Sequence, residues 1–175
     1  MKSRPAIALV LLALLSAAGS LRSTARDEPD RVVTAVIAGQ RFDLELAADA
    51  ASRDRGLAGR SEVSARGGML FVFPDAEWQL FVMRDCATPI DLLFLDESGV
   101  VTAAYSMLPE PPRTTGERAG TVEGDRAYDA RLKGYASPGP SPFAVEVKGG
   151  TIESIGVRVG DRVGLDLRAL RALAN

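Results

Sequence analysis

The side chains able to do chemistry in this chain are few and close together. Arg84 and Asp85 stand side by side, Cys86 follows, and Asp91 sits inside the apolar run Ile90-Asp91-Leu92-Leu93-Phe94-Leu95. A carboxylate within such a run reads as buried, and an unpaired buried charge is costly, so it calls for a cation. Arg60 and Arg84 are the candidates, because a planar guanidinium can hold a carboxylate through two parallel hydrogen bonds. Two readings follow. Arg60, Arg84, Asp85 and Asp91 form a polar pocket for a small ligand, or Asp91 makes a structural ion pair that staples a helix exit to the sheet. The second is simpler, since structural ion pairs mimic functional sites.

Composition removes most other chemistries. The 175 residues contain no histidine, which excludes Ser-His-Asp and Cys-His catalysis, imidazole bases and histidine-liganded metals. Cys86 is the single cysteine, so neither an intrachain disulfide nor a paired-thiol metal or redox site can form. With no histidine to activate it, Cys86 is expected to be a buried, inert thiol. Asp91 and Asp96 are an odd number of positions apart, which places them on opposite faces of a regular strand. The turn Asp96-Glu97-Ser98-Gly99 lacks the spacing of a calcium loop. No catalytic residue, metal ligand or cofactor is assigned on these grounds. Glu146 alternates with Val145 and Val147 and is expected to face water; Asp161 is read as a turn residue. Tyr128 and Tyr135, with Arg126 and Arg131, suggest either a stacking face for a sugar or partner, or a solvated loop whose tyrosine packs back on the core. The net charge of −2 and the lack of a basic run give no reason to expect nucleic acid as a partner.

These side chains must be positioned by one domain, because an apolar fraction of 46% and a charged fraction of 25% are ordinary for a globular chain of this length. Lys2 and Arg4, the apolar run Ala6 to Leu15 and the small residues Ser16 to Ser20 describe a signal peptide over residues 1–20, followed by a polar tether over 21–30. The apolar run is short for a membrane span, which needs about 20 residues, so no stable membrane insertion is expected after cleavage. Loss of Lys2 and Arg4 leaves 19 basic against 23 acidic residues, a balance of −4. The expectation is a secreted or periplasmic protein with a single β domain over 31–168 and a C-terminal tail over 169–175.

Within that domain, Val32 to Ile37 and Arg41 to Leu46 flank Ala38-Gly39-Gln40 as a hairpin. Ala47 to Leu57 favours a helix with Asp49 as N-cap and Gly56 ending it. Strands are expected at Met69 to Phe73, Trp78 to Met83, Ile90 to Leu95, Val100 to Ser106 and Phe143 to Lys148, then a short helix at Thr151 to Ile155 and a last strand ending near Leu167. The proline-rich and charged stretch from Leu108 to Gly139 reads as a long loop. Many short strands with one credible helix predict a mainly β fold, an antiparallel β-sandwich or small barrel with one or two short helices.

Several segments, taken in order, resemble one family. These are Arg55-Gly56-Leu57-Ala58-Gly59-Arg60, Gly68-Met69-Leu70-Phe71-Val72-Phe73, Pro89-Ile90-Asp91-Leu92-Leu93-Phe94-Leu95-Asp96, and Ser137-Pro138-Gly139-Pro140 with Ala144 to Val147 and Gly160-Asp161. Together they are similar to the family known as domain of unknown function 192, over about Phe42 to Leu167. The chain departs from that family's pattern at Ala58, Val82, Asp85 and Cys86, where methionine, tryptophan, an amide and a hydroxyl are usual. The resemblance implies a compact, mainly β domain, frequently exported, and it supplies no catalytic residue. The functional expectation is a non-catalytic module binding a small molecule, glycan or protein partner. The rivals are a hydrolase using carboxylates, with Asp85 or Asp91 as base, and a purely structural accessory protein.

Overall fold

The computed structural model describes residues 31–174. The signal peptide and tether expected over residues 1–30 lie outside the described residues. β-branched and aromatic runs form the strands β1 (Val32–Ile37), β2 (Gln40–Ala47), β3 (Gly68–Val72), β4 (Leu80–Phe81), β5 (Ile90–Leu95), β6 (Val101–Met107), β7 (Tyr135–Ala136) and β8 (Phe143–Lys148). Helices α1 (Ala50–Arg55), α2 (Val122–Asp129), α3 (Thr151–Ile155) and α4 (Leu167–Arg171) are all short. Six strands make one mixed sheet in the order β1-β2-β3-β8-β5-β6, and β4 pairs with β7 in a separate ribbon. The fold is mainly β, as expected, and the sheet does not close into a barrel.

Three details differ from the arrangement expected from the sequence. β2 and β3 run parallel, because α1 carries the chain across between them. The segment expected as a strand from Trp78 to Met83 contributes only the two residues of β4. The last expected strand is replaced by isolated bridges: Gly164 exchanges hydrogen bonds with Val36 of edge strand β1, at 3.0 and 2.8 Å. A few residues earlier, Asp161 accepts from the Val101 amide and Val163 donates to the Gly99 carbonyl, at 2.8 and 2.9 Å, at the entrance to edge strand β6. One short segment therefore holds both margins of the sheet. α4 follows it, and its Leu170 is buried in the core.

Both faces of the sheet are apolar, so its central strands are buried throughout. On one face Leu93, Leu95, Val145 and Val147 pack with Ile37, Leu44, Val157, Val163 and Leu170. On the other, Met69, Phe71, Leu92 and Phe94 pack with Leu57, Val63, Met83 and Tyr135. The alternation that places a side chain on one face or the other thus decides between two interiors, and only the edge strands offer a wet face.

Candidate functional site

The expected cluster of Arg60, Arg84, Asp85 and Asp91 does not assemble. Asp91 is fully buried, as its neighbours require, but it belongs with Leu93 and Leu95 on the face covered by α3. Its Oδ2 accepts from the Ile152 amide at 2.7 Å, in the first turn of α3, while its Oδ1 has no hydrogen-bond partner. A backbone donor at a helix start takes the place assigned to a guanidinium. The two arginines are spent elsewhere. Arg60 pairs with Glu45. Arg84 grips Asp129 through Nε and Nη2 at 2.9 and 2.8 Å and reaches Asp54 at 3.5 Å.

Asp85 is held by another residue. Arg113 donates Nε and Nη2 to its two oxygens at 2.8 and 2.9 Å, and this pairing lowers the Asp85 pKa. Arg113 also reaches Asp125 at 2.8 Å and stacks on the Tyr128 ring at 4.1 Å, with Arg131 on the same ring at 4.7 Å. Arg131 in turn donates to Glu117, whose pKa falls to about 2 under that bond and the Thr114 amide. Helix α2 lies where a long loop was expected, and Tyr128, only 2% exposed, is its anchor. The tyrosine–arginine stack is therefore internal, and no open stacking face forms from it. This network ties Arg113, Glu117, Asp125, Asp129 and Arg131 of the connection from β6 to β7 to one another and to Arg84 and Asp85.

The residue that sequence alternation misplaces is Glu146. It is 5% exposed, not solvated, because β8 runs between β3 and β5 and has no wet face. Its cross-strand neighbours are Met69 and Leu92. Oε2 has no hydrogen-bond partner, and burial alone pushes its pKa up to about 8. At neutral pH it is the protonated acid, able to donate one hydrogen bond and accept others. The signal that would have found it is the order of strands: a glutamate in a central strand cannot face water, but that order is not written in the strand itself.

Glu146 lies at the base of a cleft of about 370 Å³ walled by α1, the Gly56–Ala58 exit, Phe71 and Phe73, and the Gln79–Arg84 segment. The α1 wall begins at a reciprocal cap in which Ser52 donates its amide to Asp49 at 3.0 Å and accepts the Asp49 amide at 3.3 Å. It stops at Gly56, whose φ of +51° suits glycine, and a side chain there would stand 3.5 Å from the Phe71 ring and 3.7 Å from Glu146 Oε2. Gly68 serves the other side of the acid, since a Cβ at that position would collide with the Glu146 carbonyl at 2.1 Å. Phe81 meets Phe71 and Phe73 edge-to-face at 4.9 and 6.4 Å, forming an aromatic wall. Arg53 is fixed over Phe73 at 5.7 Å and donates to the Ala48 and Val72 carbonyls. Cys86 lines the same cleft, but burial and then the charges of Glu146 and Asp85 raise its thiol to about 12, leaving no thiolate nucleophile.

Three of the segments that resemble the family meet here: Arg55 to Ala58, Phe71 with Phe73, and Glu146 line this one cleft, beside Phe81, Val82 and Arg84 of the stretch where the chain departs from that family's pattern. Among the described residues, no cluster of three or more acidic or thiol side chains is arranged to hold a metal, and no helix is long and apolar enough to cross a membrane. No curated protein matches the chain. Two crystal structures share its fold: a candidate transcription regulator from Sinorhizobium meliloti 1021, at a TM-score of 0.61 and 23% identity over 78% of this chain and 93% of that one; and a protein of unknown function from Novosphingobium aromaticivorans DSM 12444, at 0.60 and 23% over 76% and 84%. The family model described as DUF192, uncharacterised ACR, matches residues 33–165, and the chain belongs to that family.

Proposed function

We propose that this domain is an exported, non-catalytic binding module that takes a small molecule in the cleft between α1, β3 and β4. The observation that carries this reading is the unpartnered Glu146 carboxyl at the base of an aromatic-walled opening. Buried polar groups are nearly always satisfied, and one left open beside a cleft is what a ligand would complete. The cleft volume also falls within the roughly 300–1,000 Å³ usual for small-molecule sites. Catalysis is the weaker reading. Asp85 is bound at both oxygens by Arg113, and Asp91 lies on the opposite face of the sheet. Both placements count against their serving as the base that a carboxylate hydrolase requires, and the raised pKa of the Cys86 thiol counts against a nucleophile there.

A thermal-shift screen of the purified protein against small apolar and amphipathic compounds tests the binding reading, since a ligand of the native state raises the melting temperature by mass action. Active compounds are expected to lose their effect in Glu146→Leu. A flat screen, or shifts indifferent to Glu146, would count against the cleft. Export rests on the charged, apolar and small-residue succession of Met1 to Ser20. Cell fractionation with N-terminal sequencing checks it: a start near residues 19–21 in the envelope or medium is expected, and an intact Met1 in the cytosol contradicts it.

A further inference from the structure

Resting on that reading of the cleft, we infer that the part of the ligand reaching Glu146 is an uncharged, planar amide-type edge (a carboxamide, lactam or N-acyl group) carried on an apolar body. The polar demand at the base is narrow. Met69 and Leu92 flank the Glu146 carboxyl across the strands, and Phe71 and Gly56 lie against it. Oε2 has no partner beneath Gly56. A carboxyl group rotates broadly about its last bond, so either oxygen can be presented to an incoming group.

Each class of partner meets this site differently. An ammonium must first ionise an acid enclosed by hydrocarbon, and it enters past Arg53 and Arg55, which outnumber Asp54 on the cleft wall, Arg84 being matched by Asp129. A carboxylate suits those arginines but must give up its hydration against an apolar base that offers a single O–H. An amide carries no charge to desolvate. Its C=O accepts from the acid and its N–H donates back, closing two hydrogen bonds on one edge. Because Glu146 is only 5% exposed, little of its surface is left to desolvate, so those bonds form at a small cost on the protein side. Burial also keeps the acid protonated at neutral pH, which supplies the donor. The rings of Phe71 and Phe81, packed edge-to-face at 4.9 Å, then offer an apolar wall against which a flat body can lie.

Four probes of one shape separate these cases: benzamide, benzoate, benzylammonium and toluene, each titrated at pH 6.5 into the full chain and followed by amide NMR at Gly56, Phe71 and Glu146. Benzamide is expected to bind most tightly, to weaken about tenfold in Glu146→Leu, and to stay within a few-fold in Glu146→Gln, whose side chain keeps a donor and an acceptor. If Glu146→Leu does not fold, the ranking of the four probes on the native protein and on Glu146→Gln decides. Tighter binding of benzylammonium or benzoate overturns the amide assignment and leaves the cleft standing. Equal binding of toluene and benzamide overturns it in favour of apolar contact alone. Cleft resonances that move with none of the four overturn both the ligand class and the binding reading.

Discussion

Two buried acids sit one register step apart on the central strands: Asp91 of β5 lies opposite Val147, and Glu146 of β8 lies opposite Leu92. They project to opposite faces and meet opposite fates. Asp91 enters the interior closed by α3 and is engaged by the Ile152 amide, so it fastens a helix to the sheet. Glu146 enters the interior beneath α1 and β4, where the covering elements leave a cleft and bring no donor to Oε2. A carboxyl group met by backbone within its own fold is explained by the fold. One left open at the base of a cleft is not. A third acid completes the contrast: Glu117 is tied to Arg131 and the Thr114 amide, and its pKa moves in the opposite direction from that of Glu146.

The sharpest way to break this contrast is pH. Unfolded, Glu146 ionises near 4.5; folded, near 8. Between those values the unfolded chain has released a proton that the folded chain retains, so stability falls as pH rises through the window and levels off above it. The slope approaches ~1.4 kcal/mol per pH unit, on the order of 5 kcal/mol across the whole window from 4.5 to 8. The absence of histidine leaves this interval unusually clear of other titrations. Urea unfolding at pH 5 and pH 8 should show that loss in the native protein and a much flatter profile in Glu146→Gln. Parallel profiles would mean that the acid is already ionised in the fold.

Asp91 should behave as a fastener. Asp91→Ala strands the Ile152 amide and is expected to cost about 1–3 kcal/mol, while Asp91→Asn, which keeps an acceptor, costs less. Neither should move the cleft resonances of Gly56 or Phe71, and a shift there would merge the two faces that the comparison separates. The smallest effect belongs to Glu117. Its contribution is present above about 4.5 and is lost as pH falls towards 2, the reverse of Glu146. Hydrogen exchange should quicken between Arg113 and Arg131 in Glu117→Gln with the sheet unaffected. Protection that does not change would show that Arg131 holds the connection without this acid.

Much of this arrangement can be read from the chain before any coordinates. The alternation from Arg41 to Leu46, the cap at Asp49, the stop at Gly56 and the paired runs β5 and β6 are local signals, and each matches its element. The burial of Asp91 follows equally from its apolar neighbours. Its partner does not, because Ile152 lies 61 positions away on a helix that only the closed fold brings near. Glu146 fails for the same reason. Its alternation with Val145 and Val147 is real, but whether the alternate face is wet depends on β8 lying between β3 and β5. Helix α2 hides in a charged stretch because its order comes from arginines closing on Tyr128, not from an apolar stripe. The site is therefore visible in its pieces and invisible in its assembly.

The short ribbon from Gly160 to Gly164 works like a buckle fastened at both ends, since it joins Val36 to the Gly99–Val101 turn. Release it and the outermost strands on both sides lose partners at once, baring amides and carbonyls that another copy could recruit. A chain cut short before Gly160 should therefore fail by sticking to itself rather than by simple loosening.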